Sequence, residues 1–256
     1  MNVLVIIGAV IIGLSLGLLG SGGSIITMPL LLYVVGETEK LAIAESLLIV
    51  GSIATVGSLL LAKSKLINLR YILWFGLPSM MGTYIGAWSA QFVTGVVQVL
   101  TFSIVMLLSS RMMLKSPIAN VEPKPSSSLV GVGAVGVAVG ILAGFVGVGG
   151  GFLIVPALFL LARLTLQQAT ATSLVIIALQ SFTGFFKYAY LLDQAQIAIN
   201  WPVVLTMIVI GSGGVIVGSK LSRSLPQKRI KQVFAIMLIG LGLFMLVHSL
   251  YQLWQA

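Results

Sequence analysis

Residues 17–29 read Gly-Leu-Leu-Gly-Ser-Gly-Gly-Ser-Ile-Ile-Thr-Met-Pro, and residues 144–156 read Gly-Phe-Val-Gly-Val-Gly-Gly-Gly-Phe-Leu-Ile-Val-Pro. Both copies share Gly-x-x-Gly-x-Gly-Gly followed by proline, and they stand 127 positions apart. The same offset continues without a gap as far as Gly57 and Gly184. A segment of about forty residues is therefore duplicated, and the chain consists of two similar halves.

The composition is that of an integral membrane protein. Hydrophobic residues make up 59% of the 256 residues, charged residues only 7%, and the mean hydropathy is +1.16. A soluble chain carries about 25% charged residues. The net charge of +9 lies in short loops between apolar segments, where basic residues set membrane topology, so we expect the lipid bilayer as partner and no nucleic acid. The absence of cysteine excludes disulfides and thiolate metal sites.

Hydropathy divides the chain into eight apolar segments. Six of them are close to the ~20 residues that cross a bilayer once. Two are too long for one crossing, and each of these contains a glycine motif near its centre. The segments are 1–35, 41–62, 71–90, 95–114, 128–162, 169–190, 201–219 and 232–254.

The basic loops favour a hairpin at each glycine motif. Simple alternation through eight spans places loops 63–70 and 220–231, both rich in Lys and Arg, on opposite sides of the membrane. If segments 1–35 and 128–162 each enter and leave from one face, both basic loops become cytoplasmic, as positive loops usually are. Each half then has three full crossings and one hairpin. An odd number of crossings inverts the second half relative to the first.

The predicted fold is an all-α integral membrane protein of two inverted-topology repeats, each with a broken or hairpin glycine segment and three transmembrane helices. Residues 1–115 form the first repeat and residues 129–256 the second. Residues 116–128, rich in proline and serine, form a cytoplasmic linker. We expect a multi-pass protein of the cytoplasmic membrane, and the sequence leaves open whether copies assemble into a homo-oligomer.

The two glycine turns are the predicted binding site. Hairpins entering from opposite faces bring both turns near the midplane, with helix N-termini that favour an anion. Ser46 and Ser173 are expected to add hydroxyl donors. The alternative is that glycines only let helices pack closely, which we favour for others such as Gly136 and Gly213. The predicted substrate-binding residues are Gly20, Ser21, Gly22, Gly23, Ser24, Ser46, Gly147, Gly149, Gly150, Gly151 and Ser173.

Other polar residues within the spans are candidates for coupling or for a polar path. Glu45 lies about one turn inside the second segment, and it is either a coupling or gating carboxyl or a helix-start carboxylate favoured by the dipole. Path candidates are Ser52, Thr55 and Ser58 on that segment and Gln180, Ser181 and Thr183 on its mate. A serine hydrolase built on Ser21 is disfavoured because the only histidine, His248, lies near the C-terminus. No enzyme activity, cofactor or metal is predicted.

The two motifs, together with Ala169-Thr-Ala-Thr-Ser-Leu174, resemble the sulfite exporter TauE/SafE family. The likeness extends over essentially the whole chain. It implies a secondary carrier for a small sulfur-containing anion such as sulfite, a sulfonate or sulfoacetate, driven by an ion gradient rather than by ATP. The competing interpretations are an anion channel and an accessory membrane subunit without transport of its own.

The inverted topology predicts where single cysteines react. Because loops 63–70 and 220–231 are expected in the cytoplasm, an impermeant thiol reagent applied to intact cells should label neither Ser64→Cys nor Ser224→Cys. The absence of native cysteine keeps the background clean. Strong labelling of one variant and not of the other would restore simple alternation.

Overall fold

The computed structural model describes residues 3–115, 128–162, 164–222 and 227–255, and in these ranges the chain is helical with no β-strand. The all-α prediction is confirmed. The helices are α1 (Val3–Leu19), α2 (Gly23–Leu30), α3 (Glu39–Leu61), α4 (Leu69–Tyr71), α5 (Leu77–Ser89), α6 (Gly95–Lys115), α7 (Leu129–Val146), α8 (Gly151–Leu160), α9 (Leu166–Gln194), α10 (Trp201–Leu221) and α11 (Gln227–Gln255). Most of the linker predicted at 116–128 lies outside the described residues.

Several of these helices are long and apolar enough to cross a bilayer. A helix rises 1.5 Å per residue, so about 20 residues cross a 30 Å hydrocarbon core. By length and composition the described candidates are five: Glu39–Leu61, Leu129–Val146, Gln167–Gln194, Trp201–Leu221 and Gln232–Gln252. Shorter apolar helices accompany them. The protein is therefore a multi-pass membrane protein.

Both long apolar segments break at the glycine motif. In the first, Gly20 has a φ of +67° between α1 and α2. In the second, Gly147, Gly149 and Gly150 have φ values of +75°, +64° and +63° between α7 and α8. This left-handed region is easily reached only by glycine and cannot continue a right-handed helix. The motif thus forces the chain to turn.

After the first turn the chain folds back on itself. A Cβ placed on Gly23 would lie 2.5 Å from the carbonyl oxygen of Ile12, and one placed on Gly8 would overlap the side chain of Leu30. Helix α2 therefore runs antiparallel along α1. At the second turn, a Cβ on Gly150 would lie 2.9 Å from Ala143 on α7. With 10 residues, or about 15 Å, α8 is too short to cross the bilayer.

Glycines bring two helix pairs into backbone contact. A Cβ on Gly17 of α1 would lie 2.5 Å from the carbonyl oxygen of Val215 on α10. Gly144 of α7 meets Thr83 of α5 in the same way. Gly17 and Gly144 are 127 residues apart, and Thr83 and Val215 are 132 apart. The two contacts correspond because α5 follows α3 in the first half as α10 follows α9 in the second, with five more residues between the halves at this point. Each contact joins the first half of the chain to the second.

The long helices α3 and α9 cross in opposite directions. Leu47 contacts Gly184, Gly51 contacts Ser181, and farther along α3 Gly57 contacts Leu174. Residue numbers rise on α3 as they fall on α9, so the helices are antiparallel. They are also the two helices that the 127-residue offset aligns.

Gly213 does not pack as the sequence suggested. Gly136 does, because a Cβ there would lie 2.7 Å from the carbonyl oxygen of Phe75. At Gly213, by contrast, no described atom beyond the nearby backbone of its own helix lies within 4 Å of the place that a Cβ would take, and the residue is exposed. The packing interpretation of Gly213 is wrong because that residue lies on the outer face of α10, away from α1.

This difference gives a matched pair of stability variants. Gly140→Ala should lower the free energy of unfolding by about 1–3 kcal/mol, because its Cβ would overlap the carbonyl of Ser79. Gly213→Ala should leave stability unchanged or raise it by up to about 1 kcal/mol, since it only replaces an exposed helical glycine. Thermal unfolding of the purified proteins measures both. Equal destabilisation by the two variants would contradict the packing just described.

Candidate functional site

The two glycine turns lie against each other in the interior. A Cβ on Gly151 would lie 3.1 Å from the backbone carbonyl oxygen of Ser21. Ser21 is 4% exposed, and Ser24 on α2 is completely buried. Helices α2 and α8 both begin here, and the first N–H groups of a helix lack partners within it. The positive ends of two helices therefore lie in one buried region, and a helix N-terminus favours negative charge.

Each turn is held by a serine from the other half of the chain. The Ser46 hydroxyl on α3 donates to the carbonyl of Gly147 at 2.9 Å, and the Ser173 hydroxyl on α9 donates to the carbonyl of Gly20 at 3.0 Å. Both hydroxyls also lie 2.8 Å from a carbonyl of their own helix. A hydroxyl has a single hydrogen, so neither serine has a free one to donate to a ligand.

The turns pass one another rather than meeting tip to tip. Gly20 packs on Thr170 and Gly147 on Ile43, each near the start of the opposite long helix. Ser46 stands five residues, or about 7.5 Å, from the α3–α9 contact at Gly51. The apices of the two turns therefore lie on opposite sides of the helix crossing. The start of α8 then returns toward the crossing.

The polar side chains of the first turn form hydrogen bonds within the turn itself. The Ser24 hydroxyl donates to the carbonyl of Ser21 at 3.2 Å, and the Ser21 hydroxyl approaches the carbonyl of Leu19 at 3.4 Å. Gly22 is right-handed, with a φ of −78°, and a Cβ there would lie 2.7 Å from the ring of Phe234. Gly22 and Gly23 are thus required by close packing rather than by an unusual backbone conformation.

The second turn faces polar side chains that have no partner. A Cβ on Gly149 would lie 2.5 Å from the Ser181 hydroxyl, and one on Gly150 would lie 2.9 Å from Oε1 of Gln180. Both side chains are completely buried, yet the Ser181 hydroxyl and both amide atoms of Gln180 make no hydrogen bond. Leaving a buried polar group unsatisfied costs about 1–3 kcal/mol. Gln180 and Ser181 are therefore the candidate side chains for contact with a ligand at the second turn.

Gln180 and Ser181 entered the sequence analysis only as members of a polar path. The other path candidates bond within their own helices: Ser52, Thr55, Ser58 and Thr183 each donate to a carbonyl three or four residues earlier. A comparison of the two halves could have distinguished Gln180 and Ser181 from the other path candidates. Their mates at the 127-residue offset are Ile53 and Ala54, so the polar pair exists in one repeat only.

Glu45 is buried at the start of α10 rather than at either turn. Its Oε1 accepts the backbone N–H of Asn200 at 2.7 Å, and its Oε2 has no partner. In the other half, the Thr172 hydroxyl accepts the backbone N–H of Asn68 at 3.0 Å. Glu45 and Thr172 are related by the repeat offset. The second half therefore accepts this backbone N–H with the neutral hydroxyl of Thr172, whereas the first half accepts it with the carboxyl group of Glu45.

Side chains from other helices cap the end of α7 at the second turn. Gln98 on α6 donates from Nε2 to the carbonyl of Phe145 at 2.6 Å. The Tyr188 hydroxyl on α9 lies 3.1 Å from the carbonyl of Gly144 and 2.7 Å from Gln98. The last carbonyls of a helix have no partner within it. These bonds supply the missing donors and fix the position of the turn.

A family model matches nearly the whole chain. The model described as "Sulfite exporter TauE/SafE" matches residues 5–245. The chain belongs to the sulfite exporter TauE/SafE family. The family identification made from the two motifs is confirmed. In the described residues of this TauE/SafE protein, no group of three or more His, Asp or Glu side chains is placed to hold a metal ion.

Curated relatives of this TauE/SafE chain are named as transporters. It is 30% identical over 247 residues to a probable membrane transporter protein of Xylella fastidiosa, covering 93% of this chain and 92% of the relative. It is 29% identical to the probable membrane transporter protein YunE of Bacillus subtilis, covering 97% and 98%. A probable membrane transporter protein of Methanocaldococcus jannaschii is 26% identical, covering 93% and 94%. No solved structure matches the chain. The prediction of a membrane transporter is confirmed at this level.

The hydrogen bonds that Ser46 and Ser173 donate to the turn of the opposite half predict that removing either hydroxyl lowers stability and leaves anion affinity unchanged. Ser46→Ala and Ser173→Ala should each lower the free energy of unfolding by about 1–3 kcal/mol, because each leaves a buried turn carbonyl without its donor. Ser52→Ala is the control, since its hydroxyl bonds only within α3. Thermal unfolding and equilibrium anion binding to the folded variants measure the two effects. Unchanged stability with lost anion affinity would return both serines to the ligand set.

Proposed function

We propose that this protein is a secondary transporter that moves a small sulfur-containing oxyanion, of the sulfite, sulfonate or sulfoacetate type, across the cytoplasmic membrane by alternating access. One observation carries the proposal. The N-terminus of α8 and two completely buried, unpartnered polar side chains, Gln180 and Ser181, converge on the glycines of the second turn. The family description "Sulfite exporter" supports the sulfur-containing class.

An anion fits this region better than a cation or an apolar solute. The side chains nearest to Gly149 and Gly150 belong to Val50, Ala143, Ile154, Ile177, Gln180 and Ser181, and none carries a charge. A bound anion would be held by neutral donors and by the dipole of α8, as anions are held at helix N-termini. Carriers with broken helices use half-helix N-termini for anionic substrate groups in the same way.

The packing supports inverted repeats and hence alternating access. The mates α3 and α9 are antiparallel, and each half donates a serine hydroxyl to the turn of the other. The α1–α10 and α7–α5 pairs are related by the same exchange. In inverted-repeat carriers, one bundle rocks against the other around a site between the repeats. A substrate at the second turn would lie at such a boundary.

We propose Glu45 as the proton-coupling residue. Thr172 makes the related backbone bond without a charge, so that bond does not require a carboxyl group at position 45. The second carboxyl oxygen, Oε2, is buried and has no partner. Acidic residues inside membrane segments generally serve ion or proton pathways.

Counterflow in proteoliposomes tests the transport proposal. Vesicles that contain the purified chain alone and a high internal concentration of sulfite, sulfoacetate or methanesulfonate should transiently accumulate labelled anion from outside. A carrier shows this exchange. Passive equilibration without a transient overshoot would identify a channel, and no flux from the lone chain would identify an accessory subunit.

Glu45→Gln should preserve anion exchange but abolish its coupling to a proton gradient. The variant keeps an oxygen for the Asn200 N–H, so the fold and counterflow should persist, while uptake driven by an imposed proton gradient should be lost. Asp193→Asn, which alters an exposed acid near the end of α9, is the control and should retain both activities. If proton-driven uptake is unchanged in Glu45→Gln, coupling depends on another residue or another ion.

A further inference from the structure

We infer that the ligand occupies the second turn alone, and that the amide of Gln180 selects oxyanions that themselves carry a hydrogen-bond donor. This inference rests on the proposed function and specifies its substrate class. The ligands expected to bind best are monoanions with an O–H group, such as hydrogen sulfite or a singly protonated phosphonate. An aprotic sulfonate of the same charge and shape is expected to bind less well.

The first step concerns the Gln180 amide, of which neither end is satisfied. Its Oε1 and Nε2 are both buried and without a partner. A primary amide is an acceptor at the oxygen and a donor at the nitrogen. A single occupant satisfies the amide only if it accepts one hydrogen bond and donates another.

The second step concerns the other groups around the turn. The first helical hydrogen bond of α8 is donated by the N–H of Leu153 to the Gly150 carbonyl at 3.0 Å. The N–H of Gly151 comes before this bond in the chain and has no acceptor within the helix. This N–H and the Ser181 hydroxyl are donors for the oxygens of an anion. The carbonyl of Ser21, 3.1 Å from a Cβ placed on Gly151, is an additional acceptor. A site with donors and acceptors side by side matches an oxyanion that retains a proton.

The third step excludes the first turn. The mates of Gln180 and Ser181 are Ile53 and Ala54, which offer no donor. The Ser24 hydroxyl at the start of α2 already donates to the Ser21 carbonyl, and the ring of Phe234 lies where a side chain on Gly22 would project. The two turns therefore have similar backbones but different side chains around them, and only the second turn has unpartnered polar side chains that can bind a ligand.

Two isosteric monoanions test the inference directly. Methylphosphonate in its singly protonated form and methanesulfonate have the same charge and nearly the same shape, but only the phosphonate carries an O–H. Calorimetric titration of the purified chain in nanodiscs, at a mildly acidic pH that keeps the phosphonate singly protonated, should give about tenfold tighter binding of the phosphonate, the effect of one buried hydrogen bond. Gln180→Met should bring this ratio close to one.

Matched variants on the same helix separate the roles. Ser181→Ala should weaken both anions by a similar factor, because it removes a donor that either can use. Thr183→Val should change neither, since the Thr183 hydroxyl bonds to the Leu179 carbonyl within α9. Gln180→Leu repeats the test if Gln180→Met does not fold. Without ligand, either substitution should leave the unfolding midpoint unchanged or raised, because it removes an unsatisfied buried amide.

Two results would overturn the inference. Equal binding of the two anions by the unaltered protein would show that the site does not select for a donor. A tenfold preference that persists in Gln180→Met and Gln180→Leu would show that the selection arises elsewhere. In both cases a positive counterflow assay leaves the proposed transport function standing. An absence of anion exchange in that assay would instead overturn the proposed function itself.

Discussion

The structure depends on satisfying the backbone where two helices break inside an apolar environment. Each glycine turn exposes carbonyl and N–H groups that the bilayer cannot hydrate, and each such group costs several kcal/mol if it stays unpaired. The hydroxyls of Ser46 and Ser173 meet part of this requirement, and each does so for the turn of the opposite half. Neither half therefore completes its own turn, so the two halves must assemble together to make the central region.

Close glycine contacts determine which helices form a unit. On α1 and α7, glycines sit directly against carbonyls of α10 and α5, which lets the backbones approach closely, as small residues do at membrane helix interfaces. Each pair joins a broken helix of one half to a continuous helix of the other. In a rigid-body motion of this fold, the two helices of each pair would move together, so the moving parts would not correspond to the two halves of the sequence. The antiparallel helices α3 and α9 cross between the pairs and contact both turns.

The sequence predicted the helix breaks because left-handed glycines at a duplicated spacing leave a strong local signal. It did not predict what Ser46 and Ser173 contact, since a hydroxyl's partner is decided by a carbonyl 101 or 153 residues away. Nor did it distinguish Gly150, which needs a positive φ, from Gly23, which needs space beside Ile12. For the unpartnered amide of Gln180, a comparison of the halves could have shown the asymmetry with Ile53, but only the fold shows that the amide faces Gly150.

Two of the departures from symmetry lie in opposite halves. The acid Glu45 is on α3, where the second half has Thr172, and the polar pair Gln180 and Ser181 is on α9, where the first half has Ile53 and Ala54. Helices α3 and α9 touch where Gly51 meets Ser181. Because Glu45 is on α3 and Gln180 is on α9, a displacement of α3 would move the carboxyl group and a displacement of α9 would move the amide. On the proposed function, the proton and the anion would sense the same movement from different halves, which is the requirement for coupling their transport.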